Sequence, residues 1–272
     1  MGAITVQELN VYPLKSARGI PKSRVRVAAT GFEWDRHWMI VREDGMFLTQ
    51  RTHPSLARIA TELTSEALRL TSEGLRPLML PLAPQGPERT VRIWKDSCAG
   101  LDQGDEAGSW VSAVLGEPVR VVRTTPAPGR QANPEYAGPV PSPLAFPDGY
   151  PILVCNRASL DDLNQRLPQA LPMERFRPNL VLEGLPAYAE DRITSMDIGA
   201  VRLTLVKPCT RCIIPSTDQR TGIRGVDPLP VLRTYRFDRK LLGVTFGENA
   251  VIARGIGEVL ERGSPCRIVY EP

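Results

Sequence analysis

Proline constrains this chain more than any other residue does. Twenty-six of its 272 residues are proline, roughly twice the usual share, and each one fixes φ and removes a backbone donor. A helical bundle is therefore excluded, and short strands joined by turns are expected. Seven prolines (Pro126, Pro128, Pro134, Pro139, Pro141, Pro143 and Pro147) gather between residues 124 and 150, together with Gly129, Gly138 and Gly149. That stretch lacks ladder donors and apolar periodicity, so 125–150 reads as a linker between a first domain, 1–124, and a second, 151–272.

On the first side, Ile4, Val6 and Val11 lead into Tyr12-Pro13-Leu14-Lys15-Ser16. Val25 and Val27 alternate before Thr30-Gly31, Trp38 to Val41 precede the turn Asp44-Gly45, and Val91 to Trp94 make a further strand. The spacing of Trp110, Val111, Val114 and Leu115 predicts a helix over Asp105 to Leu115 that stops at Gly116. On the second side, Ile152 to Val154 read as a buried strand. Ser159 reads as the N-cap of a helix carrying Leu160, Leu163 and Leu167, with Asp162 three residues on. Val201, Leu203 and Leu205 alternate and deliver the chain to Cys209. A short helix over Pro228 to Tyr235 and strands at Asn249–Ala253 and Arg267–Tyr270 complete the pattern. The expected fold is mainly β with peripheral helices, built as two antiparallel β-barrel-like domains.

The charge balance, 34 basic against 30 acidic side chains, gives +4 spread along the chain. It carries no basic tail for nucleic acid. No apolar run reaches membrane-spanning length, and Met1-Gly2-Ala3-Ile4-Thr5-Val6 shows no leader, so a soluble cytoplasmic protein without membrane partners is expected.

Five cysteines without an export signal point to reduced thiols. Cys98, Cys155 and Cys266 are isolated and read as small apolar filler. Cys209 and Cys212 form Pro-Cys-Thr-Arg-Cys. Structural zinc would need two more ligands, and the two histidines, His37 and His53, lie far off and read as structural. A thioredoxin-like pair would open a helix, but Ile213-Ile214-Pro215 follows and cannot continue one. Two readings stay open: a plain strand-end dithiol, or one thiolate bound to a soft metal whose other ligands come from an organic carrier.

Six motifs then occur in order: Tyr12-Pro13-Leu14-Lys15-Ser16, Trp34-Asp35-Arg36, Leu48-Thr49-Gln50-Arg51, Phe176-Arg177-Pro178-Asn179, Pro208-Cys209-Thr210-Arg211-Cys212 and Phe246-Gly247. Over nearly the whole chain they resemble MOSC-domain proteins with the N-terminal β-barrel extension, the group of the mitochondrial amidoxime-reducing component and its bacterial relatives. The resemblance implies a molybdenum–molybdopterin cofactor, and it makes Cys212 both the metal ligand and the catalytic residue. It implies a cofactor cradle of Lys15, Ser16, Arg36, Arg51, Ser159, Arg177, Asn179, Thr210, Arg211 and Asn249, with Asp148 nearby. Lysine suits a phosphate as a point charge, whereas arginine presents a planar fork. A helix opening at Ser159 would favour an anion. Asp35 reads as the ion-pair partner of Arg36, and Cys209 as structural. The implied chemistry is oxygen-atom transfer from N-hydroxylated or N-oxygenated small molecules. Electrons are expected from a separate flavoprotein, ferredoxin or cytochrome, since no cluster of cysteines resembling a ferredoxin domain precedes Pro272. MOSC domains also carry a generic association with pyridoxal phosphate. The alternative is a carrier of molybdenum cofactor or persulfide sulfur without turnover.

Overall fold

The computed structural model describes residues 3–139 and 141–270. Met1, Gly2 and Pro272, which enter the reading of the chain ends, lie outside them.

The alternation read from the sequence builds the largest sheet. In the strand Thr5–Val11, Val6, Leu9 and Val11 face inward, and in Val201–Thr210 so do Val201, Leu203 and Leu205. Period-2 burial, interrupted in Thr5–Val11 by a register shift between Val6 and Glu8, is what one wet and one dry face produce. The nine strands described run in the order Ile20–Lys22, Thr5–Val11, Leu180–Glu183, Ile152–Asn156, Gly243–Arg254, Val201–Thr210, Ile193–Ile198 and Arg267–Tyr270, with Phe237–Asp238 added beside Gly243–Arg254. Thr5–Val11, from the start of the chain, is thus paired with Leu180–Glu183 from the second half. The pairing of Ile152–Asn156 with Leu180–Glu183 is parallel, a departure from the antiparallel expectation. The chain makes that crossover through the helix Arg157–Arg166.

A second sheet orders Trp38–Val41, Arg120–Thr124, Asp96–Asp102 and Glu88–Ile93. Against it packs the helix Gly104–Leu115, which buries Ala107 and Val111 and ends on Gly116 at φ 76°. A left-handed residue there is cheapest as glycine. The whole is mainly β with peripheral helices, as expected.

Four local expectations change. The helix after Ile152–Asn156 is capped by Asn156, whose side chain accepts from the Ala158 N–H, and not by Ser159. The late helix is only Leu229–Arg233, and the strand read as 249–253 runs over Gly243–Arg254. The proline-rich stretch is tied down: Arg130–Gln131 pairs with Pro143–Leu144, and Phe146 is buried. The Arg130 guanidinium donates to the carbonyls of Ala145, Pro147 and Asp148. Charged donors bind carbonyls strongly when both are buried, and these bonds present Asp148 to the cavity described next.

Candidate functional site

Where the strand Thr5–Val11 ends, the chain turns through Tyr12 to Ser16. The Tyr12 N–H donates to Asp35 Oδ1 at 2.8 Å, and the Lys15 N–H donates to the Trp38 carbonyl at 2.8 Å. These bonds hold Lys15, Ser16 and Arg36 against a cavity of about 780 Å³, measured with its open mouth. Its other walls are Thr49 and Arg51 from the first half, and Asp148, Phe176, Arg177, Asn179, Cys209, Thr210, Arg211, Cys212 and Asn249 from the second.

Backbone strain gathers here. Ser16, Arg36 and Arg177 sit at φ 68°, 52° and 57°, a region that costs any side chain but glycine's. Such strain persists only where surrounding bonds over-determine it, and they do. Arg36 pairs with Asp35 and donates to Asn179 Oδ1 at 2.9 Å and to the Arg177 carbonyl at 3.3 Å. The guanidinium carbons of Arg36 and Arg177 each lie 4.4 Å from the centre of the Tyr12 ring. Arg177 Nη1 donates to Gln219 Oε1 at 2.8 Å, and Gln219 and Gln50 exchange amide hydrogen bonds at 2.9 Å. Gln50 also donates to the Ser16 carbonyl at 2.7 Å.

Lys15 Nζ donates to the Phe146 carbonyl at 2.8 Å and pairs with Asp148, whose other oxygen takes Arg51 Nη2 at 2.6 Å. Burial lowers the Lys15 ammonium to about 8, against the opposing pull of Asp148. Burial alone would raise the Asp148 carboxyl, but Lys15 and Arg51 hold it far below the usual carboxylate range. Arg51 keeps its charge despite burial because Asp148 and the Cys212 thiol favour it. Burial lowers Arg177 to about 10, with Arg36 adding to the fall and Tyr12 opposing it.

The sulfur end lies where Val201–Thr210 runs out. Arg211 Nη1 donates to Cys209 Sγ at 3.1 Å and Nη2 to the Phe176 carbonyl at 2.7 Å. Phe176 and Phe246 stack at 4.1 Å beneath them. Gly247, at φ 76°, lets this strand close on its neighbour, since a Cβ there would lie 2.7 Å from both the Val154 carbonyl and Cys155 Sγ. Asn249, two residues on, donates to the Lys207 carbonyl at 3.2 Å and lines the cavity.

Nine of the ten cradle residues read from the sequence, and Cys212, therefore meet on one cavity. Ser159 does not. It is fully buried and donates to the carboxylate of Glu190 at 2.7 Å while accepting the Tyr188 N–H at 2.8 Å. It satisfies a buried acid instead of reaching a ligand. Asp35 pairs with Arg36, as read. Tyr12, Gln50 and Gln219 are the additions; Tyr12 and Gln50 lie inside quoted motifs, whereas Gln219 has no sequence signal.

The donor set suits an anionic, metal-bearing organic group. Arg177 Nη2 and Arg211 Nε are buried without a partner in a strongly basic wall, and such donors call for an acceptor. No group of three or more His, Cys, Asp and Glu able to hold a metal exists among the described residues. A metal at Cys212 would thus take most of its ligands from its carrier.

Comparison with known proteins adds two family matches: the MOSC N-terminal beta barrel domain over residues 3–118, and the MOSC domain over 141–267. The chain is 34% identical to mitochondrial amidoxime-reducing component 1 of Mus musculus, over 85% of this chain and 71% of that protein. It is 32% identical to mitochondrial amidoxime-reducing component 1 of Homo sapiens, over 91% and 78% respectively. Mitochondrial amidoxime reducing component 2 of Homo sapiens matches at 34% over 85% and 72%. Among the described residues no helix is long and apolar enough to cross a membrane.

Proposed function

Because the chain belongs to the MOSC family, in the two-domain form of the amidoxime-reducing components, we propose that it is a molybdenum-cofactor-dependent reductase of N-hydroxylated compounds. The observation that carries this reading is the single cavity that unites Cys212 with five cations from distant parts of the chain. Lys15, Ser16 and Arg36 bind the phosphate of the pterin, and the unpartnered Nη2 of Arg177 supplies a further donor. Cys212 is the protein's sulfur ligand to the metal. When bound, the cofactor supplies two-electron chemistry that removes oxygen from nitrogen.

The chain's own residues prepare that site. Asn179 is spent on structure, since its Oδ1 takes Arg36 and the Leu153 N–H while its Nδ2 donates to the Asn10 carbonyl. It orients Arg36 instead of meeting the ligand directly. Asp148 offsets the charge of Lys15 and Arg51, so that both stay folded against the cavity. Arg211 holds Cys209 by its sulfur and leaves Cys212 as the thiol available to a metal. A small N-hydroxylated substrate enters this cavity, and a separate protein supplies the electrons.

Protein isolated from a host that makes molybdopterin tests this. The expected result is near-stoichiometric molybdenum and reduction of benzamidoxime under anaerobic conditions with a chemical reductant, with turnover falling at least about a hundredfold in Cys212→Ser. A persulfide mass increment without metal would contradict it and favour a sulfur carrier.

A further inference from the structure

The strands Glu88–Ile93 and Asp96–Asp102 are joined by only two residues, Trp94 and Lys95. Trp94, the first of them, sits at φ 56°. Tight hairpins put glycine, asparagine or aspartate at such a position, because a bulky side chain is strained there. The chain instead carries its largest side chain, and leaves it 52% exposed. Neither burial nor turn chemistry accounts for that choice.

Its neighbours do. The Arg51 guanidinium carbon lies 4.7 Å from the Trp94 ring centre, and Trp94 meets Phe47 edge-on at 5.1 Å. Lys15 Nζ lies in turn 5.4 Å from the Phe47 ring centre. The two aromatic rings therefore back the two cations that share Asp148, one ring to each cation. A ring face attracts a cation and restricts its rotamers without consuming its N–H donors. The N–H groups not already given to Asp148 and the Phe146 carbonyl stay available to the cavity.

We propose that Trp94 is a positioning residue, which with Phe47 holds Arg51 and Lys15 against the bound cofactor. This rests on the cofactor reading above. Trp94 touches no ligand in this arrangement; it acts through Arg51.

The strain makes the proposal testable, because glycine suits the turn better than tryptophan does. With the pterin removed from both proteins, the melting temperature of Trp94→Gly is expected to equal or exceed that of the parent, as relief of a left-handed side chain predicts. Pterin, read by the fluorescence of its oxidised form after dilution, is expected to leave about three- to tenfold faster. Trp94→Phe keeps a ring face and is expected to hold the pterin within about twofold of the parent. Trp94→Gly protein that retains pterin as long as the parent overturns the proposal and leaves the cofactor reading standing. A clear drop in the melting temperature of the pterin-free variant also overturns it, by making Trp94 structural. Parent protein that carries no pterin overturns the cofactor reading itself, and this proposal with it.

Discussion

Lys15 stands between two opposing fields. Burial pushes its ammonium down to about 8, and Asp148 resists that fall. Its positive charge is therefore nearly full at pH 7, half lost near pH 8 and mostly gone by pH 9, so affinity for a phosphate-bearing ligand is expected to weaken across that range. The stability of the ligand-free protein moves the other way. Between about 8 and the ordinary lysine value the unfolded chain binds more protons, so this group adds stability as pH rises. Pterin release measured from pH 7 to 9 should accelerate about three- to tenfold, and Lys15→Arg should flatten the profile because a guanidinium stays charged. A profile that keeps its slope in Lys15→Arg would remove Lys15 from the cradle. Residue chemistry of this kind was legible in the sequence: Lys15, Arg36, Arg51 and Arg177 sit in motifs and meet on one cavity. Their backbone was not. Glycine advertises a left-handed turn, but serine and arginine at φ 52–68° carry no such mark.

Local pattern misleads at the scale of elements where a buried polar group answers to a distant partner. The run Ser159 to Asp162 has the form of a helix start, yet Asn156 caps the helix and the Ser159 hydroxyl serves Glu190. No local pattern shows that a carboxylate 31 residues away needs a donor. The strand Gly243–Arg254 extends further toward the N-terminus than its sequence pattern shows for a similar reason. Glu248 interrupts its apolar run, although Glu248 is only 3% exposed. Burial, with Asp191 and Glu190 nearby, raises the Glu248 carboxyl to about 9, and its Oε1 has no partner. The folded chain then binds a proton that the unfolded chain releases above the ordinary glutamate value. Glu248 thus costs stability progressively as pH rises from about 4.5 to 9. Glu248→Gln is expected to unfold at higher temperature than the parent at pH 8, by the equivalent of about 1–3 kcal/mol, and to match it near pH 5. Equal melting curves at pH 8 would show that the carboxyl is ionised without penalty.

At the scale of the whole molecule, the site exists because the two ends of the chain share one sheet. Thr5–Val11 pairs with Leu180–Glu183, and the residues that follow it deliver Lys15 and Ser16 to a wall made by Arg177 and Arg211. Gln50 and Gln219 join the halves again beneath that wall. Alternation shows which face of a strand is dry but not which strand lies beside it, so this union was not legible in the pattern of strands. Residues 125–272 made alone would expose the edge of Leu180–Glu183 and the apolar face that Val6 and Leu9 cover. They are expected to aggregate or to lack a cooperative melting transition, and a monomeric fragment that melts cooperatively would refute that interdependence. The most direct test of the proposed site is the coordination of the metal it is proposed to hold. X-ray absorption at the molybdenum edge of the isolated protein should show three sulfur neighbours, two from the pterin and one from Cys212, falling to two in Cys212→Ser and staying at three in Cys209→Ser. A sulfur count unchanged by Cys212→Ser, or reduced by Cys209→Ser, would contradict it.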